Sequence, residues 1–284
     1  MEKQHPSLVE QLPSFSTFSD TVITSRNNPK IKQIRALLKR SERERTGLAL
    51  VEGLRLVTEA LRCPQRVRQL IVAPELLRSQ HGQALLEDQR QKGLPCLCVS
   101  TEVFHSFSLK DNPQGIAAIV SQQWELLEQV RLSPEDFWVA LEAVQDPGNL
   151  GTILRTCDAT GCRGVFLLDH TTDAYDPTTL RASMGAIFSQ YLVKTSFQTF
   201  ADWKRLYRYP IVGTSDAAVL NYRQADYPSP VILLMGSERQ GLSSEQQALC
   251  DFIVSIPMRG SCDSLNISVA TAVVLYEILH RRGG

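Results

Sequence analysis

The 284-residue sequence has no excess of charge of either sign, because 30 lysines and arginines balance 30 aspartates and glutamates. A chain coated with positive charge for binding nucleic acid is therefore excluded, and any site for RNA or DNA must be a local patch. The composition is otherwise ordinary, with 43% hydrophobic residues, which excludes disordered, collagen-like and coiled-coil chains.

Long apolar runs are also missing. No segment approaches the roughly 18–20 apolar residues of a membrane helix, since the best candidate, residues 269–279, is interrupted by polar side chains. No hydrophobic stretch follows the first residues, so we expect no signal peptide. The 7 cysteines are an odd number and lack the spacing of zinc-binding or redox motifs. We therefore expect a reduced, cytoplasmic protein without a metal site.

Apolar segments alternate with helical patterns along residues 21–120, with regular structure expected to begin near Thr24. Residues 1–20 lack apolar periodicity, and we expect them to be a poorly ordered leader. The alternation predicts an α/β sandwich of about 100 residues. Its predicted strands are Leu48–Val51, Leu70–Val72, Cys96–Val99 and Ile116–Val120.

Residues 121–136 are polar and contain Pro134, so they are predicted to link two domains. Short, nearly all-apolar strands then follow, a pattern typical of a parallel sheet covered on both faces. The second domain, residues 137–284, is therefore also predicted to be α/β, ending in an amphipathic helix at Ile267–His280. Its predicted strands are Trp138–Ala143, Gly164–Leu168, Ile211–Thr214, Val231–Met235 and Phe252–Ile256.

Three segments of the second domain break the core pattern. The first, Gln145–Arg155, turns on Pro-Gly after a strand and opens a helix, but it lacks the G-x-G-x-x-G spacing of a dinucleotide site. The second, Met235–Leu242, and the third, Ile256–Ala270, follow strand ends, where ligands bind in open α/β sheets. Each alone is compatible with an ordinary loop, whereas all three together favour a ligand site.

Together these segments resemble the three motifs of the SpoU (TrmH-type) RNA ribose 2′-O-methyltransferases, a branch of the SPOUT class. The residues that carry the resemblance are Asn149-x-Gly151-x-Ile153-x-Arg155, Gly236-Ser237-Glu238-x-x-Gly241, and Ile256-Pro257-Met258 with Ser264-Leu265-Asn266-x-Ser268-x-Ala270. Near the N-terminus, Asn28–Lys32 and Val51-Glu52-Gly53 resemble the L30e-like substrate-binding domain that is often fused ahead of the catalytic domain. The resemblance covers roughly residues 22–282.

The resemblance implies a C-terminal parallel-sheet domain with a trefoil knot and S-adenosylmethionine as methyl donor. Cofactor contacts are expected from Gly236, Ile256 and Leu265, with Thr214, Met235 and Met258 in the cofactor-binding wall.

The resemblance also implies that Arg155 is catalytic. An arginine holds its proton and is a poor base, so we expect it to stabilise a developing alkoxide or to hold the adjacent phosphate. Asn149, Glu238, Asn266 and Ser268 are expected to position Arg155 and the ribose. For Glu238 a purely structural role, paired with Arg155 or a helix end, stays open.

The expected RNA-binding surface is a cluster of basic residues near the start of the first domain. Residues 26–45 contain eight lysines and arginines against two glutamates, a pattern that also fits a solvated helix face. We expect Arg26, Lys30, Lys32 and Arg35 to contact RNA phosphates.

The expected RNA is ribosomal, bare or in a pre-ribosomal particle. The alternatives are a tRNA or antibiotic-resistance methylase of the same family, and a catalytically inactive RNA-binding homologue. The resemblance also implies a homodimer through the C-terminal domain, to which the last helix and the apolar segment Ala182–Phe188 are expected to contribute.

Overall fold

The computed structural model describes residues 19–283, which divide into two compact units, one ending at Gln122 and the other beginning at Gln123. The predicted leader, residues 1–20, lies outside the described residues apart from Ser19 and Asp20. Within residues 19–283, no helix is long and apolar enough to cross a membrane.

The first unit is a five-stranded mixed sheet with helices. Its elements are β1 (Ser19–Ile23), α1 (Pro29–Ala36), α2 (Arg40–Thr46), β2 (Leu48–Glu52), α3 (Leu54–Leu61), β3 (Val67–Val72), α4 (Gln80–Gln91), β4 (Cys96–Val99), α5 (Thr101–His105) and β5 (Ile116–Ser121). The strand order is β1-β4-β3-β5-β2, in which β5 runs antiparallel to both neighbours and the other pairs are parallel.

The four apolar strands predicted in this unit are present as β2 to β5, whereas β1 begins before the expected start at Thr24. Strand β1 lies at the edge of the sheet and pairs only with β4, so its sequence needs no apolar run. Helix α1 begins at Pro29, because the side chain of Asn28 accepts the backbone N–H of Lys30 at 2.9 Å and proline suits the first turn of a helix.

The second unit is a seven-stranded parallel sheet with helices. Its elements are β6 (Phe137–Glu142), α6 (Pro147–Thr160), β7 (Gly164–Leu168), α7 (Pro177–Ser183), β8 (Tyr191–Thr195), α8 (Phe197–Tyr207), β9 (Ile211–Thr214), β10 (Leu220–Asn221), β11 (Val231–Met235), α9 (Ser244–Leu249), β12 (Phe252–Ser255) and α10 (Ile267–Arg281). Every strand pair in this sheet is parallel. The predicted α/β class and parallel second sheet are confirmed.

The strand order is β10-β12-β9-β11-β6-β7-β8, so strands are added on both sides of β6. From β6 the chain adds β7 and β8 on one side, and all later strands lie on the other side. The carboxyl ends of β6 and β11 therefore flank a topological switch point, the usual position of a ligand crevice in such sheets. The trefoil knot implied by the resemblance stays a prediction.

The segment predicted as a linker contributes to the second unit. Glu125 pairs with Val193 of β8, and the side chains of Leu127, Val130 and Leu132 are buried in the main core of this unit. Apolar side chains at this spacing bury against the sheet even though the surrounding segment is polar. The exact domain boundaries, 120 and 137, stay predictions.

Candidate active site

A pocket of about 520 Å³ lies beyond the carboxyl ends of β9, β11 and β12 in the second unit. Its walls come from the loops that follow these strands and from the start of α10. The six residues predicted to bind the cofactor all line it: Thr214, Met235, Gly236, Ile256, Met258 and Leu265. The volume and the mixture of apolar wall and backbone edges suit a ligand of nucleoside size.

The loop after β11 forms one wall as a closed turn. Ser237 and Gly241 exchange backbone hydrogen bonds, from N to O at 3.1 and 3.0 Å, and Gly241 has a positive φ of 65°. A Cβ on Gly236 would overlap the backbone of Gly241 and Leu242. Only glycine at position 236 therefore lets the chain close this turn against the strand end.

The charge inside the pocket is mainly negative. Asp216, Glu238 and Asp263 line it, together with a single basic residue, Arg239. S-adenosylmethionine carries a sulfonium and an ammonium group, so an acidic wall with apolar segments fits that cofactor. Sequence reasoning missed Asp216 and Asp263, which stand in polar loops without a distinctive spacing.

Four predicted catalytic residues form one directed hydrogen-bond chain: Ser268, Asn266, Asn149 and Glu238. The carboxamide oxygen of Asn266 accepts the backbone N–H and the hydroxyl of Ser268, at 2.8 and 2.7 Å. Its NH₂ group donates to Asn149 Oδ1 at 3.0 Å, and the NH₂ group of Asn149 donates to Glu238 Oε1 at 2.6 Å. Because Glu238 lines the pocket, the chain ends at the pocket wall.

The N-termini of two helices hold this chain in place. Asn266 is the N-cap of α10, so its oxygen must face that helix and its NH₂ group must face Asn149. Asn149 lies in the first turn of α6, where its backbone N–H donates to the N-cap Asp146 at 2.9 Å. Ser268 is buried and its hydroxyl bonds Asn266, which places it as a support for the chain.

Arg155 stands apart from the pocket lining. It is exposed on α6, and its side chain forms no hydrogen bond or ion pair with another residue between 19 and 283. Six residues separate it from Asn149, which turns it by about 240° around the helix axis. The open pairing of Glu238 with Arg155 is therefore absent, and Glu238 is bonded by Asn149 instead.

One acidic residue that sequence reasoning missed lies at the end of β6. Burial, with added repulsion from Asp169, raises the pKa of the Glu142 carboxyl to about 7. Its Oε2 atom is buried and has no hydrogen-bond partner. An acid at the end of an apolar strand gives no sequence signal for this shift, because the neighbouring Asp169 follows a different strand.

The basic residues predicted to contact RNA have different surroundings in the first unit. Arg26 pairs with Glu102 at 3.1 Å, and the guanidinium of Arg35 donates to Ser106 Oγ at 3.0 Å and to the Arg26 carbonyl. Lys30 and Lys32 are exposed on α1. Within the wider cluster, Arg43 is buried and bonds backbone carbonyls of residues 37 and 38, so it stabilises the fold.

Part of the surface expected to contribute to a homodimer is buried within the second unit, and the homodimer itself stays a prediction. The apolar side chains of Ala186, Ile187 and Phe188 are buried within their own chain. Helix α10 instead exposes Val269 and Tyr276, which are two helical turns apart and share one face.

The sequence matches two family profiles. The profile of the SpoU rRNA methylase family matches residues 136–276, and that of the MRM3-like substrate binding domain matches residues 28–118. The two matches therefore fall on the second and the first unit.

Characterised proteins are similar along most of the chain. The 23S rRNA (guanosine(2553)-2′-O)-methyltransferase RlmP of Bacillus subtilis is 31% identical over 256 residues, covering 90% of this chain and 98% of that protein. The 23S rRNA (uridine(2479)-2′-O)-methyltransferase of Streptomyces viridochromogenes is 33% identical, covering 92% of each chain. Among solved structures, the AdoMet-bound rRNA methyltransferase of Sinorhizobium meliloti is 36% identical and superposes with a TM-score of 0.83, covering 92% of this chain and 98% of that one.

Proposed function

The chain belongs to the SpoU rRNA methylase family, and we propose that it methylates a ribose 2′-hydroxyl of 23S ribosomal RNA at the pocket of the second unit. It is an S-adenosylmethionine-dependent RNA 2′-O-methyltransferase. The observation that carries the proposed site is the hydrogen-bond chain through Asn266, Asn149 and Glu238, which joins all three family motifs at the pocket wall.

The pocket fits S-adenosylmethionine in shape and charge. Gly236 lets the turn close against the strand end, and Met235, Ile256 and Leu265 supply an apolar wall. Asp216 and Asp263 also line the pocket, and their negative charges favour a cation there. When bound there, the cofactor supplies a methyl group on a positively charged sulfur.

The chain's own residues orient the ribose. The fixed carboxamides of Asn266 and Asn149 hold the carboxylate of Glu238 in one rotamer, and its second oxygen is available to accept the ribose hydroxyl. This alignment removes orientational freedom before the reaction, which is worth several orders of magnitude in rate. Arg155 stabilises the negative charge that develops on the 2′-oxygen as the proton leaves.

Two copies of the chain pair through α10, so that Arg155 of one copy serves the pocket of the other. Three observations support this arrangement. Arg155 lies away from its own pocket, it has no partner among residues 19–283, and α10, which packs on α6, exposes Val269 and Tyr276. A side chain directed into solvent in one copy becomes functional when a second copy covers it.

The first unit binds the RNA substrate, and Arg26, Lys30, Lys32 and Arg35 contribute to that surface. The chain has no net positive charge, so we expect bare RNA to bind weakly. The expected substrate is therefore a pre-ribosomal particle. We place the reaction in the cytoplasm, since none of the 7 cysteines forms a disulfide within residues 19–283. The two relatives above modify a guanosine and a uridine, so the target base has to be found by experiment.

The test is methyl transfer from radiolabelled S-adenosylmethionine to 23S rRNA transcribed in vitro, followed by alkaline hydrolysis. A 2′-O-methyl group blocks cleavage at its own phosphodiester, so label in alkali-resistant dinucleotides is expected. Label in mononucleotides would mean base methylation and would contradict the proposed reaction.

Substrate controls separate the alternatives. Transfer to unmodified tRNA and none to 23S rRNA or pre-ribosomal particles would identify a tRNA enzyme of the same family. Cofactor binding with no transfer to any of these RNAs would point to an inactive RNA-binding homologue.

A further inference from the structure

Two loops that border the pocket each carry an arginine to which the proposed function assigns no role. Arg239 stands in the turn after β11 and lines the pocket, and Arg259 follows the lining residue Met258 in the loop after β12. In the sheet, β9 lies between β11 and β12. The two arginines therefore belong to loops on opposite sides of the pocket.

Neither guanidinium has a partner among residues 19–283, although carboxylates are close in the sequence. Glu238, next to Arg239, is bonded by Asn149, and no ion pair joins Arg259 to Asp263 in the described part of the chain. Three other cations of this unit are neutralised within it, by the pairs Lys204–Asp251, Arg205–Asp202 and Arg281–Glu277. Two exposed arginines that stay unpaired beside a pocket are available for an anionic ligand.

The position of Arg239 is fixed by its own turn. The backbone hydrogen bonds between Ser237 and Gly241 close the turn, and Ser237 Oγ accepts the backbone N–H of Gln240 at 3.1 Å. Arg239 is the central residue of this five-residue turn. Its backbone is therefore held before any ligand arrives, which lowers the entropy lost on binding.

We propose that Arg239 and Arg259 bind phosphates of the RNA strand on the two sides of the target ribose, an inference that rests on the proposed function. The planar guanidinium forms paired hydrogen bonds with phosphate oxygens, and two such contacts would hold a flexible strand across the pocket mouth. The other charged residues of the lining, Asp216, Glu238 and Asp263, repel phosphate. The arginines therefore set where the backbone can lie.

The same guanidinium chemistry also suits the carboxylate of the cofactor, so the test separates the two anions. The double variant Arg239→Gln/Arg259→Gln is compared with Arg208→Gln/Arg223→Gln, whose arginines lie outside the pocket lining and outside the two loops that follow β11 and β12. For each protein, the affinity for a 23S rRNA transcript is measured at several salt concentrations, the Kd for S-adenosylmethionine by calorimetry, and KM and kcat with RNA as the varied substrate.

For the Arg239/Arg259 variant we expect the slope of log K against log salt to decrease by about 1.4, as for two lost single-strand phosphate contacts. KM for RNA should rise about tenfold or more, with kcat and the Kd for S-adenosylmethionine within about threefold of wild type. A slope and KM equal to those of the control variant would overturn the inference. A tenfold loss of cofactor affinity would also overturn it, by assigning the arginines to the cofactor carboxylate.

The binding measurement stays informative if the proposed function fails. If the wild-type protein transfers no methyl group to RNA, the proposed function is wrong. The difference in salt slope between the two variants then still decides whether the arginines bind phosphate.

Discussion

Asn149 donates its carboxamide N–H to Glu238 Oε1 at 2.6 Å, across 89 residues of sequence. The donor cannot rotate away, because Asn149 Oδ1 already accepts from Asn266 at 3.0 Å. The direction of this contact follows from the N-cap of α10, where Asn266 must present its oxygen to Ser268. A helix end thus fixes the orientation of a carboxylate on the pocket wall.

Asn149→Asp tests this orientation. The substituted side chain still accepts from Asn266 but places a second carboxylate against Glu238, so kcat is expected to fall about 100-fold or more. The measurement is steady-state methyl transfer, with Thr152→Ala as the matched control, since the Thr152 hydroxyl bonds only the Gly148 carbonyl of its own helix.

A second substitution distinguishes orientation from charge. Asn149→Asp/Glu238→Gln restores a hydrogen bond with the donor on the opposite side, so kcat should recover about tenfold over the single variant if orientation dominates. No recovery would mean that the negative charge of Glu238 is the essential property.

Arg155→Ala is expected to abolish methyl transfer while leaving the Kd for S-adenosylmethionine unchanged, because Arg155 is outside the pocket lining. Arg155→Lys keeps the charge but loses the planar guanidinium group, so its activity should lie between that of wild type and that of the alanine variant. Wild-type turnover of the alanine variant would remove Arg155 from the mechanism.

Mixed dimers test whether Arg155 acts across two copies. A chain with Arg155→Ala is co-expressed with a differently tagged chain that carries Gly236→Ala, and the heterodimer is purified through both tags. It is assayed at an S-adenosylmethionine concentration that fills the wild-type pocket but leaves the Gly236→Ala pocket largely empty. If the arginine serves the partner's pocket, one site is complete and activity returns. An inactive heterodimer would place Arg155 at the pocket of its own chain.

Gly236→Ala is expected to weaken S-adenosylmethionine binding about tenfold or more. The added methyl group meets the backbone of Gly241 and Leu242, so the turn must open and the wall of the pocket must move. Calorimetric titration measures the loss. Gly260→Ala is the control, because no atom lies within 4 Å of its added Cβ, and an equal loss in both variants would contradict the role of the turn.

Gly236 and Ile256 follow apolar strands, and parallel strands bring their carboxyl ends to one edge, so the sequence indicates that these positions lie close together. The cofactor-binding role of Gly236, Ile256 and Leu265 comes from the family resemblance and stays a prediction. The edge strand β8, Tyr191–Thr195, escaped prediction because its burial is uneven along the strand, with Tyr191 and Lys194 exposed. The bond of Asn149 to Asn266 joins residues 117 apart, and no spacing rule reveals contacts at such a separation.

Only part of the basic cluster of the first unit, residues 26–45, offers a clean test of RNA binding, because some of its arginines support the fold. Arg43 is buried and Arg35 bonds Ser106, so replacing either would disturb the fold as well as RNA binding. Lys30→Gln/Lys32→Gln should instead weaken RNA binding and reduce the salt slope by about 1–2. The readout is binding to a 23S rRNA transcript at increasing salt, and an unchanged slope would exclude phosphate contacts at these two lysines.

The raised pKa of the Glu142 carboxyl predicts that the free energy of unfolding depends on pH. Burial and the neighbouring Asp169 raise the pKa of its carboxyl from 4.5 to about 7 in the folded protein, so the folded state holds a proton that the unfolded state releases. The free energy of unfolding should therefore decrease as pH rises from about 4.5 to above 7. Glu142→Gln removes this titration and should be more stable than wild type at pH 8 and equally stable near pH 4.

A shift of one unit in pKa corresponds to about 1.4 kcal/mol. Solvent screening of the half-buried Glu142 carboxyl reduces the expected gain in the free energy of unfolding of Glu142→Gln at pH 8 to about 1–2 kcal/mol. Urea unfolding at pH 4, 6 and 8 measures it, with the exposed Glu128→Gln as the control. Because Oε2 of Glu142 is buried without a partner, the neutral amide removes an uncompensated charge from this position. A gain that is the same at all three pH values would show that packing, and not ionisation, explains the difference.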